Sequence, residues 1–363
     1  MKPTYNFPVL RGIQAGAEYY LAMCPLKLVP KLFVYDEEVV PPDLRAQRTL
    51  NKARIPEISA YITNNPGEYT FSAITASIGC EVEFTPIKEG GDEMNLGILS
   101  IPMDAKIIIN DGQHRRAAIE EALKENPELG DESIAVVFFI DAGLKKSQQM
   151  FADLNKHAVR PSRSLGILYE YRDPLAELSR NLMLEVPVFD GLTEKEKTSI
   201  SNRSPKLFTL SSIYQATGAL LRKKKKQAIS KEEQDLALEF WNEVANLIPE
   251  WIQAKNKEVS CALLREEYIH SHGIALVSLG IAGADLLANN PNDWKKQLKN
   301  LSSINWSRSN FEVWEGRAML QGKINRAKRQ VDLTAIYIKR VLQLPICANE
   351  EKLESKLLQN GKK

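Results

Sequence analysis

Cysteine is scarce: the 363-residue chain has four, Cys24, Cys80, Cys261 and Cys347, none in a C-x-x-C pair. That spacing supports no disulfide framework, zinc knuckle or iron–sulfur cluster, and it suits a reducing cytoplasm. Long hydrophobic runs are missing as well. The most apolar stretch, Gly273 to Ala284 (GIALVSLGIAGA), stops at Asp285, short of the ~20 residues of a membrane helix, so it reads as a buried core helix. The opening MKPTYNFPVLRG has no apolar segment behind a basic one, and a cytoplasmic chain without a secretory leader is expected. No GxxxxGK[ST] phosphate loop occurs. An excess of either charge is also lacking, since 48 Lys and Arg face 46 Asp and Glu. Attraction to nucleic acid must therefore come from how charge is distributed and not from its sum.

What is present is the composition of a globular protein, 44% hydrophobic and 26% charged, which excludes disordered, collagenous and membrane classes. The first half mixes short β-like and helical pieces, and the second half is almost wholly helical. The pattern predicts an α+β chain: a mixed-sheet domain over residues 1–165, with a boundary that can extend to about 205, then a mostly α-helical domain over 166–363. Pro56 opens a helix (PEISAYITNN) that ends before Pro66-Gly67. Tyr69 to Ala76, Glu81 to Pro86 and Ser133 to Asp141 read as strands, and a helix is expected around Lys145 to Lys156. Thr193 with Glu196, and Ser230 with Glu233, have capping-box spacing. No internal repeat is visible, and the tail EEKLESKLLQNGKK is charged throughout.

The informative segment is Ile107 to Glu121, IIINDGQHRRAAIEE. A β-branched strand delivers Asp111-Gly112 into a turn, and a helix begins at once. Glycine admits close approach of a ligand, and the first helical amides lack intrahelical partners at the positive end of the helix dipole. The arrangement suits an anion. Arg115 offers a planar fork for phosphate and Arg116 adds charge beside it. Asp111 is the misfit: next to phosphate it must cap the helix, hold a divalent cation or take a proton from water. Gln113 can orient water or substrate, and His114 is the segment's titratable base near neutral pH. The candidate catalytic groups are thus Asp111, Gln113 and His114. The same residues equally fit a plain strand–turn–helix with Asp111 as cap and Arg115 in solvent.

The string Asp111 to Arg115 (DGQHR), with RAQRTLNKARIPEISAYI (Arg45 to Ile62) upstream and MFADLNKHAVRPS (Met150 to Ser162) downstream, resembles the DGQHR-domain family. Within that family the closest likeness is to the DndB group of DNA sulfur-modification (phosphorothioation) systems. Gly112 to Arg115 is more distantly similar to the GERR box of ParB and sulfiredoxin-like folds, with Gln and His in place of Glu and Arg. The resemblance implies a ParB-like mixed-sheet domain, and a phosphate or nucleotide site formed by Asp111, Gly112, Gln113, His114, Arg115 and Arg116, with Asn155 from the second motif. It implies a repressor that binds double-stranded DNA at the promoter of its own modification gene cluster, alone or with the modification proteins. No cofactor is required by this role; ATP or another nucleotide with magnesium is the ligand that the likeness admits. Hydrolysis of nucleoside triphosphate, or of DNA, at the DGQHR turn is the alternative. A palindromic operator would call for a homo-oligomer.

Other basic residues are candidates for DNA contact. Arg222 to Lys226 (RKKKK) follows an apolar helix and forms an exposed helix end and loop. Between Lys295 and Arg340 eleven basic residues stand against three acidic ones, and GKINRAKRQ places Lys323, Arg326, Lys328 and Arg329 on an expected helix. Trp306, Phe311 and Trp314 lie upstream, where aromatic packing can accompany phosphate contact, although tryptophans in such a position are more often core. Arg45, Gln47, Arg48, Arg54, Lys156, His157 and Arg160 fit phosphate contact or a solvated surface. No metal is expected: His270 and His272, two apart, would diverge on a helix.

Overall fold

The computed structural model describes residues 3–33, 52–140, 161–201 and 203–360. Two compact units make up the chain, Met1–Val159 and Arg160–Lys363.

The first unit is a seven-stranded mixed sheet with helices. Its strands are β1 (Thr4–Gln14), β2 (Ala17–Pro25), β3 (Ile74–Ile78), β4 (Glu83–Pro86), β5 (Leu96–Pro102), β6 (Ile107–Asp111) and β7 (Ser133–Ile140), and its longer helices are α1 (Ile55–Thr63) and α2 (Gln113–Glu125), with a single turn at Val29–Leu32. The spatial order is β4-β5-β1-β2-β7-β3-β6. Every neighbouring pair is antiparallel except β3 with β7. Alternation decides which face is buried: Phe7, Val9, Tyr20, Ala22, Val136, Phe138, Ile74, Ala76 and Ile109 face the core. On β1, β2 and β5 the intervening positions Leu10, Leu21, Met23, Leu96 and Ile98 are exposed, with Leu10 opposite both Leu21 and Leu96. Helix α2 buries Ala118, Ile119 and Ala122 and packs on α1.

Strand β3 begins at Ile74, five residues later than the expected Tyr69. Its preceding carbonyls, those of Ser72 and Ala73, are taken by a side chain instead of a neighbouring strand. The helix expected around Lys145 to Lys156 lies outside the described residues, as do Arg45, Gln47, Arg48, Asn155, Lys156, His157 and Arg160.

The second unit is mainly helical. Its longer helices are α3 (Arg163–Tyr169), α4 (Pro174–Glu185), α5 (Leu210–Leu220), α6 (Lys231–Asn246), α7 (Pro249–Lys255), α8 (Cys261–Glu267), α9 (Gly273–Asn289), α10 (Trp294–Leu298), α11 (Lys328–Val341) and α12 (Ala348–Asn360), with a single turn at Phe311–Trp314. Two small pairs, β8 (Thr193–Glu194) with β9 (Phe208–Thr209) and β10 (Met319–Leu320) with β11 (Lys323–Ile324), complete it. Helix α9 contains the apolar GIALVSLGIAGA segment and runs through the core against α5 and α11. None of the described helices is long and apolar enough to cross a membrane.

The Ser230 capping box is present with both of its reciprocal bonds. The Thr193 one is not. The Thr193 hydroxyl donates to the Phe189 carbonyl at 2.8 Å, and the Glu194 carboxylate accepts from the amides of Glu196 and Lys197. The side chain that would cap a helix is used to close a loop. The segment GKINRAKRQ is likewise not one helix: Lys323 lies in β11, Ala327 is the N-cap, and α11 starts at Lys328. Trp306 and Trp314 are buried and stacked at 5.3 Å, whereas Phe311 is exposed.

Two ion-pair groups of the helical unit are deep. Lys339 of α11 is almost fully buried between Asp285 of α9 and Glu350 of α12. Burial opposes its charge, but the bonds to Asp285 and Glu350 outweigh that and raise its pKa. Glu354 of α12 accepts from Arg317 at 3.2 Å and from Arg340. His270 is a core residue and His272 is partly buried, and desolvation holds both neutral, pushing them down to about 3 and about 4. Trp251 Nε1 donates to His270 Nδ1 at 3.1 Å, so the ring carries its proton on Nε2. With a neutral ring, the 3.6 Å approach of that nitrogen to Glu250 is dipolar and not an ion pair.

Candidate functional site

Edge strand β6 ends at Asp111, and the chain turns through Gly112 directly into α2. Gly112 has φ +107° and is the N-cap of α2. A Cβ there would sit 3.1 Å from Ile74 Cγ1 and 3.2 Å from Arg115 Nη2. The backbone angle requires glycine, and a Cβ would also press on these neighbours. No side chain caps α2, and its first turn has no acidic residue. Asp111 is therefore not the cap that one reading of the sequence allowed, and the first amides of the helix keep their capacity to meet an anion.

The Asp111 carboxylate instead pairs with Arg115 Nη2. The other terminal nitrogen, Nη1, donates to the Ser72 carbonyl at 2.7 Å, to the Ser72 hydroxyl and to the Ala73 carbonyl at 3.1 Å. Arg115 thus ties the segment before β3 to the DGQHR turn, and its side chain is 13% exposed against 45% for Asp111. Ser72 and Ala73 carry no sequence signal for this role, because they are 43 and 42 positions away from the arginine they hold.

His114 lies one position before Arg115. Its pKa is lowered, first by burial and then by the Arg54 guanidinium, with Asp111 pulling the other way. A neutral imidazole at pH 7 follows, able to accept a proton. Gln113, the first helical residue, is half-buried. Arg116 is directed elsewhere: its Nε donates to the Phe33 carbonyl at 3.0 Å, Nη2 to the Pro30 carbonyl at 3.1 Å, and Nη1 pairs with Glu120 at 2.5 Å. Among the described residues, Asp111, Gly112, Gln113, His114 and Arg115 are brought together at one turn. No group of three or more metal-ligating side chains occurs among those residues. Asp111 can supply one oxygen to a divalent cation whose other ligands come from phosphate and water.

In the helical unit, the Arg222 to Lys226 run leaves α5 as an exposed loop with positive φ at Arg222 (53°) and Lys226 (66°). Much of its charge is answered internally: Arg222 pairs with Asp285 at 2.6 Å, Lys223 with Glu233 at 3.0 Å and Lys225 with Glu170 at 3.7 Å. Lys224 and Lys226 have no carboxylate partner among the described residues. The Lys226 amide donates to Asp173 at 2.9 Å, which fixes the loop's course. A large open cavity lies beside the loop and is lined by Arg163, Arg222, Lys223, Lys224 and Lys225. Lys323 is exposed on β11, and Lys328 and Arg329 are exposed in the first turn of α11. Arg326 precedes that helix.

A family model described as DndB, DNA-sulfur modification-associated, matches residues 7–345, nearly the whole chain. The chain belongs to that family, and its work lies in DNA sulfur modification. No significant match was found among curated proteins or among solved structures.

Proposed function

We propose that this member of the DndB family is a DNA-binding repressor of a DNA sulfur-modification gene cluster, with a phosphate or nucleotide site at the DGQHR turn of a ParB-like first domain. The observation that carries the reading is that the lysine loop and the segment leading into α11 carry exposed cations paired with no carboxylate of the described residues, among them Lys224, Lys226, Lys323, Lys328 and Arg329. Five such charges suit the backbone of double-stranded DNA, where each phosphate contact releases counterions. Arg222, Lys223 and Lys225 can join at the cost of exchanging their present partners. Asp111, Gly112, Gln113, His114 and Arg115 form the effector site in this reading: the open amides of α2 receive phosphate, and Arg115 swings from Asp111 to the ligand. Self-association on a palindromic operator, and contact with the modification proteins, belong to the same proposal.

Fluorescence anisotropy on a labelled fragment of the cluster's own promoter, competed with unrelated duplex over a salt series, tests it. Selective retention of the promoter fragment is the expected result. Binding without preference, or none, would remove the repressor reading.

A second reading is favoured by the pairing of a half-exposed Asp111 with a neutral His114 at the same turn. Here Asp111 holds a divalent cation, His114 takes the proton of the attacking water and Arg115 offsets charge developing on the phosphate. This predicts metal-dependent phosphate release from nucleoside triphosphate that is lost in Asp111→Ala. Equal release by wild type and variant would exclude it.

A further inference from the structure

The helical unit contains a partly open cavity of about 460 Å3 at the start of α9. Three arginines line it, Arg265, Arg308 and Arg326, against a single acidic residue, Glu266. Two of the guanidiniums are held in place by backbone. Arg265 donates to the carbonyls of Ser201, Ser204 and Lys206, and Arg308 to those of Arg265, Glu266 and Gly322. Arg308 and Arg326 form no ion pair with a carboxylate of the described residues.

The position of Arg326 is the unusual feature. Its guanidinium lies against Gly273, the first residue of α9: a Cβ built on Gly273 would be 2.7 Å from Arg326 Nη1. Helix α9 has 17 residues, no side-chain cap and no acidic residue in its first turn. The positive end of its dipole therefore faces a cation, and Arg326 has no carboxylate partner among the described residues. Arg326 is exposed to solvent on one side, and on the other partial desolvation and the nearby Arg163 disfavour its charged form. The same field reaches His272, where Arg308, Arg265 and Arg326 all add to the effect of burial. An anion at this point would relieve each of these repulsions at once.

We infer that this cavity is a second phosphate site, which takes a small phosphorylated compound of nucleotide size. The phosphate would rest between Arg326, Arg308 and the first amides of α9, with the Ser212 hydroxyl, buried beside Gly273, as a further donor. The cavity exceeds the volume of a bare ion and falls within the range of small-ligand pockets. Ile200, Leu207 and Ile324 provide apolar walls for the rest of such a ligand.

Isothermal titration of the full-length chain with AMP, pyrophosphate and adenosine provides the test, carried out on an Arg115→Ala background that silences the DGQHR turn. AMP and pyrophosphate should bind and adenosine should not, and adding Arg326→Gln should weaken both by about tenfold or more. Arg326 makes no hydrogen bond to the described residues, so the variant should retain its fold, which its melting temperature verifies. Absence of AMP and pyrophosphate binding to the Arg115→Ala protein would overturn the inference while leaving the DGQHR reading intact. So would unchanged binding after Arg326→Gln, or an Arg326-dependent loss seen only with duplex DNA.

Discussion

Arg115 is bonded on one side to Asp111 of its own motif and on the other to Ser72 and Ala73 of the segment that leads into β3. One guanidinium therefore serves as a structural clamp and as the charge nearest the open end of α2. The two roles are separable by mutation, because only one of them involves Asp111.

Asp111→Asn should keep the clamp to Ser72 and free the Nη2 side, so phosphate or DNA affinity at the turn should rise. Arg115→Ala should abolish that affinity and also destabilise the fold by roughly 1–3 kcal/mol through the lost charged hydrogen bonds. Anisotropy and urea denaturation on the two variants give both numbers. Equal loss of binding in the two would mean that Asp111 itself contacts the ligand, as the hydrolytic reading requires.

The lysine loop makes a prediction about which positions count. Lys224→Gln with Lys226→Gln should lower the slope of log affinity against log salt by about 1.8, two full phosphate contacts. Lys223→Gln with Lys225→Gln should lower it less, because Glu233 and Glu170 already hold those charges. Identical slopes for wild type and the first variant would take the loop out of the DNA interface.

Acid stability should reflect His270 and His272. Folding holds both pKa values below that of an exposed histidine, so the unfolded chain binds these protons first. Their contribution is complete above about pH 6.5. It then falls by about 1.4 kcal/mol per pH unit per ring as pH drops, until the folded rings titrate near pH 4 and then near 3. Urea midpoints between pH 7 and pH 5 should show the decline. Folded-state NMR resonances of either ring titrating near pH 6.5 would contradict it.

Gly280 marks the closest approach of α9 to α5. A Cβ there would lie 2.2 Å from the Ala216 carbonyl oxygen, a backbone atom that cannot rotate aside. Gly280→Ala should cost about 3 kcal/mol despite alanine's better helix propensity, and lower the melting temperature by roughly 6–12 °C. An unchanged melting temperature would show that the helices part freely at this point.

Local signals explain what was legible in the sequence. The β6 strand, the Asp-Gly turn and α2 follow one another with their periodicities intact, and Ser230 with Glu233 caps α6. The buried helix around Gly273 to Ala284 was visible from composition alone. The β1–β2 hairpin was hidden by Pro8 within a long strand and by a turn, Ala15-Gly16, lacking the usual Asn or Asp. Thr193 shows the limit of spacing rules, since the same residue types closed a loop. At the candidate site, the turn was readable and its restraint was not. That Arg115 is held by Ser72 and Ala73, and which cations Glu170, Glu233 and Asp285 answer, depends on contacts between residues distant in sequence. The arginines around the cavity at α9 come from three separate segments and form no local pattern.

The ion pairs of α12 bear on where this chain can be cut. The family likeness ends at residue 345, yet Glu350 and Glu354 lie beyond it and hold Lys339, Arg317 and Arg340. A fragment trimmed to the matched span would leave Arg317 in the interior with its carboxylate gone, a defect worth roughly 3–5 kcal/mol. The border drawn by resemblance is thus not a border of folding, and an expression design for this unit should run through the last turn of α12.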